Sequence, residues 1–220
     1  MLTKTGPLST IYRKWGPQIT EVSGWKIAEH FGDPELEKNS LETGSVLVDW
    51  SHIGKISLFG KGALDEAIKI DHRSKELKPL HAWGNKQTAV LRLAEDEFLI
   101  LCLPGIEDSI LKLLDFQHSA VLNESGGMGC FALGGIRRDE VLERSCAMNL
   151  RRDTIGTGSA VQTTIHTIPC TLFRTHNLEI IVHSRDFSQS LFEALMDVGE
   201  QVGLIPSGIL NLPVSFETGE

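Results

Sequence analysis

Thr88-Ala-Val-Leu-Arg-Leu-Ala-Glu-Asp-Glu-Phe-Leu-Ile-Leu-Cys-Leu103 reads as two apolar β runs, Thr88–Leu93 and Phe98–Leu103, parted by the polar turn Ala94–Glu97. A polar turn of that length between two β-type runs predicts a hairpin. Upstream, Lys55–Phe59 alternates like a strand, and Gly60 opens a short helix running to about Lys69. Downstream, Pro104-Gly105 ends the hairpin, apolar residues from Ile106 to Leu114 mark one side of a helix to about Asp115, and Ser119–Leu122 returns as a strand. Strand, helix, strand, strand, helix, strand is the split βαβ, or ferredoxin-like, order.

The order then begins again. Met128–Leu133 reads as a strand, Arg138–Ser145 as a helix, and Ala160–His166 as a strand. Past a break at Pro169 comes Cys170–Arg174, paired with Leu178–Val182, and Phe187–Val202 is the longest amphipathic pattern. The predicted fold class is therefore α+β, with an irregular, Trp-anchored wrap over residues 1–44, a first half over 45–124 and a second over 125–220.

Composition bounds the partners. The 220 residues carry 21 Lys+Arg against 29 Asp+Glu, a net charge of −8, with 41% hydrophobic and 23% charged residues. These are globular proportions, and an acidic balance argues against a general nucleic-acid partner, which needs clustered Lys and Arg. A 220-residue chain buries about 70% of its unfolded surface, so no disulfide or metal is needed. Cys102, Cys130, Cys146 and Cys170 form no C-x-x-C pair and read as buried, reduced thiols. Neither a signal-peptide core in Met1–Leu8 nor a membrane-length apolar run is present, so a cytoplasmic location without membrane association is expected.

Chemical motifs are sparse. There is no phosphate-binding glycine loop, no H-E-x-x-H and no G-x-S-x-G, so no nucleotide, no metal and no classical nucleophile is expected. Among Asp49, Asp65, Asp96, Asp115 and Glu179, only Asp49 (an apolar run, then Trp50) and Glu179 (inside a β run) have the partly apolar setting of a working carboxylate. An acid in a strand is equally an edge residue facing water. Arg137-Arg138 and Arg151-Arg152 could together contact an anion, although a solvated face is the stronger reading.

Asp49-Trp-Ser-His-Ile-Gly-Lys-Ile56 with Gly60, preceded by Gly24-Trp25, resembles the opening segment of the glycine cleavage T-protein, or aminomethyltransferase, family. Leu178–Val182, Leu191–Leu195, Gly199 and Gly203–Pro206 resemble its Glu-bearing strand and the long helix after it. The second half is more similar to the gamma subunit of heterotetrameric sarcosine oxidase, through Cys146–Leu150, Gly158–Thr163 and Arg185–Phe187. The resemblance implies two α+β halves of the aminomethyltransferase folate-binding fold, here lacking the C-terminal β-barrel that normally closes it.

It also implies a tetrahydrofolate site, of which little is retained. Gln87 and Thr88 stand where the transferases carry an acidic pair, Pro104 where they carry Asn, and Leu212 falls where they carry Arg. Glu179 alone matches a folate-contacting Glu. An uncharged amide cannot stabilise a cationic methylene-transfer transition state. The resemblance therefore implies no catalysis by this chain alone. It points to a gamma-like subunit of a sarcosine oxidase or related tetrahydrofolate-linked N-methyl amine demethylating complex, its partner a larger flavin- and folate-carrying subunit, or else a homo-oligomer. Folate would be held weakly, at Glu179 and Asp49, or completed by the partner. The alternative is a stand-alone tetrahydrofolate-binding one-carbon protein. For Asp49 a structural role is favoured, as an N-cap or as a partner of His52, with Trp50 and Ile53 in the core.

Overall fold

A computed structural model describes residues 3–115 and 117–219. The amino-terminal segment contributes β1 (Lys4–Thr5), α1 (Ser9–Trp15), β2 (Gln18–Val22), β3 (Trp25–His30), α2 (Pro34–Thr43) and β4 (Ser45–Asp49). A first unit follows with β5 (Gly54–Phe59), α3 (Ala63–Ile70), β6 (His81–Gly84), β7 (Thr88–Ala94), β8 (Glu97–Cys102), α4 (Glu107–Leu111) and β9 (Ala120–Asn123). The second unit repeats the series as β10 (Met128–Gly134), α5 (Arg138–Ser145), β11 (Ala160–Ile165), β12 (Ile168–Arg174), β13 (Leu178–Ser184), α6 (Ser188–Gly199) and β14 (Leu204–Ser207).

The first sheet runs β6-β7-β8-β5-β9, and the second runs β11-β12-β13-β10-β4-β14. With β4 set aside the two orders are the same, and each contains the ferredoxin-like arrangement with one added outer strand. The sheets share one apolar layer, built from residues such as Val48, Trp50, Leu91, Leu101, Ala132 and Ile180. Helices α3 and α4 cover the outer face of the first sheet, and α1, α5 and α6 cover that of the second. Trp50 and Ile53 are fully buried in the shared layer, as expected for core residues. The described residues contain no β-barrel, and none of their helices is long and apolar enough to cross a membrane.

Residues 4–43 correct the expectation of an irregular wrap, because they fold into three short strands and two helices. The Asp33-Pro34 pair inside the stretch read as a loop is a helix start. The Asp33 carboxylate accepts from the backbone N–H groups of Glu35 and Leu36, and Pro34 occupies the first turn. The boundary at residue 45 also needs correcting. Strand β4 lies within the second sheet, antiparallel to β10 and parallel to β14, so the chain passes through the second sheet before building the first. All five β4 residues are buried, as a central strand covered on both faces requires.

Smaller differences have local causes. Helix α4 is one turn and a half, shorter than the apolar pattern suggests. Pro169 lies inside β12, opposite Thr164, and does not break the chain. The reversal sits just before it, at His166 and Thr167, both with positive φ, the geometry of a tight hairpin turn.

Candidate functional site

Asp49 ends β4 and Glu179 lies near the start of β13. Both point toward the helix-covered face of the second sheet, because Leu47 and Ile181, two residues away on the same strands, belong to that core. Register separates them. Asp49 stands opposite Phe131, whose other neighbour is Ile181, whereas Glu179 stands opposite Leu133, whose other neighbour is Leu47. Two strands across and two residues along amount to roughly 12 Å. The two predicted acids do not form one site.

Asp49 organises the turn that follows it. Its Oδ1 accepts from the Ser51 N–H at 2.8 Å and its Oδ2 from the Tyr12 hydroxyl at 2.9 Å, so the partners are Ser51 and Tyr12, not His52. Burial raises its pKa against those hydrogen bonds and the attraction of Lys55. The Tyr12 hydroxyl is in turn pushed well above its usual range, by burial first and by the neighbouring carboxylate second. At the other end of the turn Lys55, fully buried, donates from Nζ to the carbonyls of Ser51 and Ile53, each at 2.9 Å. Burial lowers its pKa to about 8. The D-W-S-H-I-G-K segment is thus a turn tied at both ends by its own charged residues, with His52 held neutral by burial, its pKa near 4.

Glu179 is also engaged internally, through one of its two oxygens. Its Oε1 accepts from Arg174 Nε at 2.6 Å, and Arg152 Nη2 approaches the same oxygen at 3.4 Å. Arg174, with no exposed surface, donates from Nη1 to the carbonyls of Leu150 (2.8 Å) and Ile155 (2.5 Å), which fixes the loop between α5 and β11. Burial raises the Glu179 pKa to about 7 against the attraction of Arg174 and Arg152. Arg174 was missed from sequence: it closes an apolar strand, Ile168–Arg174, where a cation reads as a strand end meeting water.

The positions where the transferase pattern is broken do structural work here. The Asn85 side chain accepts from the N–H groups of Gln87 and Thr88, making them the β6–β7 turn. The Pro104 carbonyl accepts from Ser23 Oγ, and the Leu212 carbonyl accepts from Trp50 Nε1. Phe216, fully buried, donates its N–H to the Asn85 carbonyl and packs edge-on against Trp50 between the sheets.

No other arrangement among the described residues offers stronger chemistry. His183 Nε2 and Ser188 Oγ are 2.9 Å apart, but both are buried, the other ring nitrogen faces the Ile181 carbonyl, and burial lowers the imidazole pKa to about 4. The four cysteines are free and buried. Groups of three or more His, Cys, Asp or Glu able to hold a metal do not occur among the described residues.

No protein-family model matches the chain. It is 27% identical over 225 residues to an aminomethyltransferase of Halothermothrix orenii, covering 94% of this chain and 62% of that protein. It is 24% identical over 233 residues to an aminomethyltransferase of Bacillus velezensis, covering 95% and 62%. The chain thus spans about three fifths of the length of these relatives. Among solved structures it superposes on the glycine cleavage system aminomethyltransferase T of Bartonella henselae with a TM-score of 0.79 at 18% identity, covering 94% of this chain and 60% of that one. It also superposes on a chain of heterotetrameric sarcosine oxidase from Corynebacterium sp. U-96, with a TM-score of 0.65 at 19% identity, covering 91% and 96%. Along nearly its whole length the chain is therefore similar in sequence to proteins of the glycine cleavage T-protein, or aminomethyltransferase, superfamily, and it shares their fold.

Proposed function

We propose that this chain is a noncatalytic, gamma-like subunit of a cytoplasmic complex that oxidatively demethylates sarcosine or a related N-methyl amine and passes the one-carbon unit to tetrahydrofolate. The observation that carries this reading is the state of Glu179. A folate ring presents an N–H and an amino group side by side, a fork of donors suited to a carboxylate. A guanidinium presents the same kind of fork, and here Arg174 takes Glu179 Oε1 from within the fold. Asp49 is likewise spent on Tyr12 and Ser51.

One further observation supports the subunit reading. The uncharged Gln87 and Thr88 sit in a turn closed by Asn85. A chain with its acids engaged in this way suits a role against a larger flavin- and folate-carrying partner.

The test has two arms. Coexpressed with the flavoprotein and T-protein-like chains of its source, the protein should co-elute with them in a complex of fixed stoichiometry, and separate elution would sink the proposal. Calorimetric titration of the isolated chain with tetrahydrofolate should give no heat of binding at millimolar ligand. Binding abolished in Glu179→Gln would favour the stand-alone one-carbon protein instead.

A further inference from the structure

The two main sheets end in four edge strands, β6 and β9 in the first, β11 and β14 in the second. Three of them are occupied from within the fold. β6 and β11 meet each other, with His81 bridging Ser159 and Ala160 donating its N–H to the Leu80 carbonyl. The Thr218 N–H bonds the Gly84 carbonyl at the far end of β6, and Cys146 bridges Ile165 at the far end of β11. β14 carries Pro206, and Ser207 Oγ and the Gly208 N–H both reach Glu37 on α2. Among the described residues no strand pairs with the outer side of β9.

Register fixes what that edge offers. The Glu124 N–H bonds the Lys55 carbonyl, Asn123 stands opposite Ile56, Leu122 opposite Ser57 and Val121 opposite Leu58. Hydrogen-bonded pairs alternate along an antiparallel ladder, so Glu124 and Leu122 bond β5, whereas the N–H and C=O groups of Val121 and Asn123 point outward. Short as it is, Ala120–Asn123 has no charge, no proline and no bulge to blunt it. Ala120 and Leu122 share a face with Phe59, which stands opposite Ala120, and on that face Leu122 is 50% and Phe59 36% exposed.

We propose that the open edge of β9 is the contact through which two copies of this chain associate, pairing antiparallel about a two-fold axis at Leu122 and joining their first sheets edge to edge. The edge is complementary to itself in that register. Val121 of each copy faces Asn123 of the other, and the outward groups of the two pairs make four backbone hydrogen bonds. Leu122 faces Leu122 of the second copy at the close spacing of a non-hydrogen-bonded pair, which covers the exposed apolar face. Ala120 faces Glu124, so no like charges stand opposite each other.

Sedimentation equilibrium of the full chain from about 1 to about 500 μM tests this and should show a monomer–dimer equilibrium with a micromolar Kd, as suits a contact this small. Leu122→Lys and Leu122→Glu change a half-exposed side chain, so each should keep the circular dichroism spectrum, and each should weaken the dimer at least about tenfold by setting like charges opposite each other. An equimolar mixture of the two variants should associate again, because opposite charges then meet. As a second readout, Leu122→Cys should give a covalent dimer on mild oxidation, the two Cα atoms lying within disulfide range. A chain monomeric throughout, as an edge reserved for a different protein would leave it, would overturn the proposal. So would a dimer undiminished in both charged variants, a mixture that stays dissociated, or an absent cross-link. These measurements use the chain alone, so their result is separate from that of the coexpression and folate tests.

Discussion

The two units share a strand order yet place their charges differently. Behind the first sheet, the helix-covered core is built from residues such as Ile56, Leu58, Val90, Phe98 and Ile100, and its buried strand cation, Arg92, stands near the sheet margin. Arg92 bonds the carbonyls of Leu77 and Glu95 and the exposed Glu95 carboxylate. Behind the second sheet, Asp49, Arg174, Glu179 and His183 all lie on the strands themselves, each nearly or wholly buried. The same topology therefore carries an apolar layer in one unit and a charged one in the other. What distinguishes the second unit is its setting: β4 is inserted from outside the repeat, and a long loop between α5 and β11 must be pinned down by Arg174.

The contrast is broken most severely at Arg174. Arg174→Leu leaves Glu179 buried without its main partner and frees two loop carbonyls, so urea unfolding should show a loss of about 3–5 kcal/mol. Arg92→Leu in the first unit should cost about 1 kcal/mol, because its carboxylate partner is exposed. Equal costs would remove the distinction between the units.

Next in size is the layer common to both units. Phe216→Ala opens a cavity between the sheets against Trp50 and should cost about 3 kcal/mol in the same measurement. Tyr12→Phe strips one hydrogen bond from Asp49 and should cost about 1–2 kcal/mol.

The charged layer also predicts a pH signature. Glu179, with its folded pKa raised to about 7, binds more protons folded than unfolded from about pH 4.5 upward, so its contribution to stability falls as pH rises toward 7. His52 and His183, lowered to about 4, bind fewer protons when folded, so their contribution is lost as pH falls from about 6.5. The effects oppose each other between pH 4.5 and 6.5. Glu179→Gln should therefore make stability rise more steeply with pH across that window, measured by urea midpoints, and an unchanged slope would contradict the assignment. Smallest of all, Lys69→Ala on α3 removes a half-exposed pair with Glu66 and should change stability by about 0.5 kcal/mol or less.

Much of the fold was legible because the strand and helix patterns of the two units are strong. The hairpin Thr88–Leu103 and the helix Arg138–Ser145 lie where apolar alternation and amphipathic spacing place them. That strand β4 belongs to the second sheet was not legible, since five buried residues in a row look alike in any sheet. Strand β2 was hidden by its exposed, polar residues, none of which is buried. In the candidate site, Asp49 and Glu179 were visible as acids in apolar company, but Arg174 and Lys55 were not visible as their counterweights. A cation at the end of an apolar run resembles a solvated terminus until the facing elements are known.

Sequence by itself determined the repeated order of strands and helices, the absence of nucleotide and metal-binding motifs, and the candidates Asp49 and Glu179. These follow from local periodicity and residue type, which act within a few residues along the chain. Only the tertiary structure decided that the two acids lie two strands apart, that Arg174 occupies one and Tyr12 the other, and that β4 crosses into the second sheet. Such outcomes depend on register and on burial by distant elements, and a carboxylate becomes free or spent according to whether folding brings a donor to it.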